Sequence, residues 1–137
     1  MKADQDTRRR DERGAASLAQ VTITAPVLLL LLMLIVQFGL MFHARNVAEQ
    51  AAQEGAAVAR QFNGSASDGK TDAQAFLAEV GTGTLQKQRV TVSRTGTRAT
   101  ATVSGVVVSV VPGLKLRVSE SASGPVEHYV PLNGDRP

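Results

Sequence analysis

The sequence predicts an α+β protein: a long N-terminal transmembrane helix that extends outside the membrane, then a small three-stranded antiparallel sheet with one short helix. Three observations predict it. From Ala15 to Phe42 there are 28 consecutive uncharged residues, where a bilayer core needs about 20 helical ones. The following stretch, to Phe62, keeps a helical apolar spacing. Beyond residue 88 the apolar period shortens to two, the period of a strand.

The first element is the apolar run. Its densest part, Pro26 to Val36, reads PVLLLLLMLIV. A signal peptide would have a shorter apolar region ending at a small-x-small site. Here the run continues through Phe38, Leu40, Met41 and Phe42 into His43-Ala44-Arg45. A buried core helix is disfavoured because the remaining chain is too small to surround it. Lys2, Arg8, Arg9, Arg10 and Arg13 precede the run, and only Arg45 and Arg60 follow closely. By the excess of cationic residues on the cytoplasmic side, the N-terminus is expected inside and the C-terminal part outside the cell. The first third, AASLAQVTITA, is only mildly hydrophobic. Pro26 lacks an N–H and so removes the helical donor to the Thr22 carbonyl, which marks it as a helix kink.

The continuation, HARNVAEQAAQEGAAVARQF, is rich in helix formers and lacks Pro. Val47, Ala51, Gly55, Val58 and Phe62 lie on one face. A continuous helix from about Ala16 to Gln61 would span roughly 70 Å. Ala44, Ala48, Ala52 and Ala56 form a second row, with Gly55 and Ala59 alongside. Such a row reads either as plain helix-forming alanine or as a seam where another helix backbone approaches closely.

Phe62 to Asp72 reads as a loop from its Gly, Ser, Asn and Asp content. Thr71-Asp-Ala-Gln74 fits a capping box, with Ala75, Phe76, Leu77 and Val80 following and Gly81 as the stop. Arg89 to Ser93 and Arg98 to Ser104 alternate around Thr95-Gly96-Thr97, a hairpin pattern. Gly105 marks a bulge or bend. Val106 to Val111, apolar except for Ser109, reads as a strand closed by Pro112-Gly113, and Leu114 to Ser121 as another. The parts are a basic leader (1–14), the transmembrane and extended helix (15–61), the small domain (62–130) and a flexible tail (131–137).

Composition narrows function. The chain has 137 residues, no Cys, no Trp and a formal charge of +3. No disulfide or thiolate metal site is possible. No basic stripe with interleaved aromatics points to nucleic acid. His43 and His128 lack ligand-spaced partners, and Asp68 to Asp72 is too short for a calcium loop. No nucleophile, base and orienting group can be assembled, so neither an enzyme nor a cofactor is expected. Arg outnumbers Lys 11 to 4, compatible with a GC-rich bacterial genome.

Arg13-Gly14-Ala15-Ala16-Ser17, Pro26, Gln37-Phe38-Gly39 and Ala48 through Arg60, in this order over residues 12–60, resemble the TadE-like family. Those proteins are pseudopilins of the tight-adherence branch of type IV pilus systems. The resemblance implies a leader cut between Gly14 and Ala15 by a prepilin peptidase, with other pilin-like and pilus assembly subunits as partners. It implies a single-pass cell-membrane location, pilus-associated, in a structural role within adhesion or secretion. Family members usually carry Glu five residues into the mature chain. Position five here is Ala19, and there is no carboxylate between Glu12 and Glu49. Two functions remain open: a minor pseudopilin-like component, and a permanently anchored scaffold of a secretion or envelope apparatus.

Overall fold

A computed structural model describes residues 2–128, with side chains from Ser17 onward. The tail expected at 131–137 lies outside the described residues. The order is α1 (Lys2–Arg60), α2 (Ala66–Val80), β1 (Leu85–Arg94), β2 (Arg98–Val107) and β3 (Arg117–Pro125). The sheet is antiparallel with order β1-β2-β3. The expected α+β architecture is the observed one.

Helix α1 starts at Lys2, well before the expected Ala16, and runs through Pro26 to Arg60. The segment before Gly14 is mostly Lys, Arg, Asp, Glu and Gln without Pro. Several of these are good helix formers, so nothing in the chain stops the helix there. Within the apolar run the Thr22 hydroxyl donates to the Leu18 carbonyl at 2.8 Å. That satisfies a polar group which lipid could not.

Helix α2 begins earlier than the sequence reading places it. Its N-cap is Ser65, whose Oγ accepts from the Asp68 N–H at 3.0 Å while the Asp68 carboxylate accepts from the Ser65 N–H at 3.2 Å. The capping box is therefore Ser65 to Asp68, not Thr71 to Gln74. The expected loop contracts to residues 61–65, and Gly69 and Thr71 lie inside the helix. Gly81 ends it as expected, its N–H donating to the Leu77 carbonyl at 2.8 Å.

The hairpin forms as read, with Ser93 opposite Thr100 and Arg94 opposite Ala99. The Thr95 N–H and the Arg98 carbonyl close the turn at 2.8 Å. Two strand expectations are corrected. The bulge is on β1, between Gln86 and Arg89, not at Gly105. Leu85 and Val90 both face inward but are five positions apart. Strict alternation would turn one outward, so one extra residue must be inserted. Gly105 stays in the β2–β3 ladder opposite Val118; a Cβ there would meet the Leu85 side chain at 2.7 Å. The run Val106 to Val111 is no separate strand. Val106 and Val107 complete β2, and 108–116 is a loop before β3.

The core lies between the second half of α1, α2 and the inner sheet face. It comprises Ala44, Val47, Ala48, Ala51, Ala52, Ala73, Leu77, Leu85, Val90, Val103, Val107 and Val118. Alanines on α1 let the sheet and α2 approach closely. Outward sheet positions such as Thr91, Thr102 and Ser121 are polar, and the hydroxyls of Thr102 and Ser121 stand 3.1 Å apart across the ladder. The division expected after residue 61 thus cuts through one core: residues 44–59 of α1 supply much of it.

Candidate functional site

Along α1 the environment changes once. Every described side chain from Ser17 to Leu32 is exposed, half-burial begins at Met33 and Leu34, and Gln37 is buried. Beyond Gln37 one face is covered and the other carries Arg45, Asn46, Glu49, Gln50, Gln53 and Glu54, all exposed. Among the described residues, one helix is long and apolar enough to cross a membrane, and only 6% of its most apolar window is buried. A core helix of a soluble protein would be mostly covered. A ring of Leu, Ile and Val exposed all round fits lipid as its surroundings, and α1 fits a single-pass anchor.

The row singled out for helix packing is occupied. Ala44, Ala48 and Ala52 are fully buried, and Ala56 is 5% exposed. What covers them is the chain's own domain. At Gly55 a Cβ would lie 2.9 Å from the Gly69 carbonyl oxygen, 3.0 Å from Ala73 Cβ and 3.4 Å from Ala101 Cβ. Gly55 and Gly69 therefore lie at a close approach of α1 and α2, with no room for a Cβ on either. Gly55 thus meets α2 of the same chain, and Ala44, Ala48 and Ala52 share a buried cluster with residues of α2 and the sheet. Gly14 and Ala15 lie in the backbone of α1, and their side chains are outside the described residues.

Gln37 is the position whose role the sequence reading missed. Its side chain sits in the apolar helix yet reaches the loop after β2. Nε2 donates to the Val108 carbonyl at 3.2 Å, Oε1 accepts from the Val110 N–H at 2.8 Å, and the Ser109 hydroxyl stands 3.2 Å from Oε1. A buried amide without partners would cost several kcal/mol. Here it is matched to three groups of an irregular segment that has no ladder to satisfy them. The signal was available: a lone amide in a run of apolar residues demands a partner.

The remaining concavities are shallow. One of about 400 Å³ lies between α1 and β3, lined by polar residues including Gln50, Gln53, Glu54 and Arg60. Among the described residues no cluster of His, Asp or Glu could hold a metal. Four cations, Lys87, Arg89, Lys115 and Arg117, are exposed around the lower end of the sheet.

The family model described as TadE-like protein matches residues 14–57, about a third of the chain. The match spans the apolar helix and the whole alanine row, and it associates the chain with components of Tad pilus systems. Neither a curated protein nor a solved structure matches this chain.

Proposed function

We propose, from the TadE-like match over residues 14–57, that the chain is a membrane-anchored minor pseudopilin-like component of a Tad-type pilus assembly system. It acts through packing rather than catalysis, with the bilayer, pilin-like subunits and a prepilin peptidase as partners. The observation that carries this reading is the division of α1. Its distal half is committed to the chain's own domain, whereas residues 17–32 present apolar side chains on every side. That collar is the surface left for lipid before assembly and for neighbouring helices afterwards. The mildly polar stretch from Ser17 to Thr24 lowers the cost of leaving lipid, because Gln20, Thr22 and Thr24 weaken transfer into hydrocarbon.

The first test is the mature N-terminus. Mass spectrometry of membrane-extracted protein should find a chain beginning at Ala15, and Gly14→Ala should block that shortening. An intact Met1 end in cells with an active prepilin peptidase removes the main support for this reading.

One observation favours the scaffold alternative. With Ala19 and no carboxylate between Glu12 and Glu49, the helix cannot neutralise a neighbour's N-terminal amine in a filament core. A permanently anchored assembly factor needs no such pair. Shearing cells and probing the filament fraction separates the two, since only an incorporated subunit is released there.

A further inference from the structure

We infer that the end of the domain formed by the 108–116 loop and the adjoining starts of β1 and β3 rests on the bilayer surface. Its apolar tip lies at the interface, and its cations lie among anionic lipid headgroups. This rests on α1 being a membrane anchor.

Gly14 follows the last charge before the apolar run, and from Gly14 to Leu32 there are 19 residues. At 1.5 Å per residue these span about 28 Å, against a hydrocarbon core of about 30 Å. Burial along α1 begins at the next residue, Met33, and Gln37 ties the 108–110 backbone to the helix one turn on. A bilayer that covers the exposed collar therefore reaches the level at which the loop closes on α1. The opposite end of the domain, at the Thr95-Gly96-Thr97 turn, lies near Gln61, since Arg94 donates to the Gln61 carbonyl. It stands about 24 residues farther along the helix, roughly 35 Å away.

Val110 is 39% exposed at the loop tip, and Pro112 is exposed beside it. Flanking them, Lys87, Arg89, Lys115 and Arg117 are exposed, and among the described residues their side chains make no ion pair or hydrogen bond. Arg98 at the far end is by contrast held by Ser123 at 3.1 Å. Among the described residues, Glu79 lies in the last turn of α2 and Glu120 on β3 three residues beyond Arg117. Lys87 has φ +50°, an unfavourable region for a residue with a Cβ, because it occupies the β1 bulge. The bulge sets it on the same groove, about 510 Å³, as Arg89 and Arg117. An apolar tip ringed by free cations at membrane height matches an anionic lipid surface.

The chain has no Cys, so single substitutions place a label cleanly. Full-length Val110→Cys and Gly96→Cys proteins, each carrying a fluorophore, would be reconstituted into vesicles containing brominated lipids, with phosphatidylcholine alone or with added phosphatidylglycerol. The Val110→Cys label should be quenched well above the Gly96→Cys label, more so with phosphatidylglycerol. Combining Lys87→Gln, Lys115→Gln and Arg117→Gln should lower the seated-to-lifted ratio about fivefold per charge removed, and only in the anionic vesicles. Equal quenching of the two labels in protein that co-floats with vesicles overturns the seat while leaving the anchor intact. Quenching indifferent to phosphatidylglycerol and to the three substitutions also overturns it, because the cations then make no contact with anionic headgroups. A chain that does not co-float overturns the anchor, and the seat with it.

Discussion

The contact of Gly55 with Gly69 allows a prediction whose sign depends on tertiary structure. Gly69 lies in the first half of α2. By helix propensity alone, Gly69→Ala should stabilise the helix by about 1 kcal/mol. The geometry opposes this. A Cβ at Gly69 would collide with the Gly55 carbonyl oxygen and lie 2.9 Å from Ala59 Cβ and 3.3 Å from the Ala59 nitrogen. Two of these obstacles are backbone of a long helix, which cannot rotate aside as a side chain can. Overpacking of this kind costs about 1–3 kcal/mol, and rigid neighbours put the site in the upper part of that range. The net expectation is a loss of about 1–2 kcal/mol, a factor of 5–30 in the opening equilibrium. Hydrogen exchange on the full chain in detergent micelles would read it as faster exchange of the α2 and β2 amides. Gly39→Ala is the control: it is also helical, but nothing lies within 4 Å of its Cβ position. It should leave domain exchange unchanged. Slower exchange in Gly69→Ala, as propensity alone demands, would refute the close-approach argument.

Other expectations follow from the same packing. Gln37→Leu removes the partners of the Val108 carbonyl and the Val110 N–H, at about 1–3 kcal/mol for groups left unsatisfied; exchange of the 108–116 amides should accelerate about tenfold or more, while α2 is little affected. Ala48→Leu inserts a larger side chain at a fully buried position. It should destabilise the domain by about 1–3 kcal/mol, seen as protease sensitivity of residues 62–128 in chain that still inserts in membranes. Loss of partner binding with domain stability unchanged would instead return the alanine row to an intermolecular role.

Much of the molecule is legible from local pattern. The apolar run is visible because lipid demands uninterrupted apolar side chains. The hairpin is visible because Thr95-Gly96-Thr97 sits between two alternating runs. Elements were misplaced where a residue's local preference and its tertiary role conflict. Gly69 reads as loop, yet it is helical because α1 needs backbone proximity there. The valines from Val106 to Val111 read as a strand, yet only the first two have ladder partners. Gly105 reads as the bulge because glycine marks irregular backbone, whereas the inward demand of Leu85 and Val90 places it at Lys87.

The sequence by itself determined the apolar run that fits an anchor, the helix that continues beyond it, the α+β class and the stretch now matched to the TadE-like family. These rest on composition and period, which act over neighbouring residues. Only the tertiary structure decided what the alanine row faces, how low on α1 the domain begins and which loop Gln37 holds. Those depend on contacts between separate elements, such as Gly55 with Gly69 and Gln37 with Val108. No local pattern encodes them, because a small residue or a lone amide states that something must come close, and only the fold supplies what does.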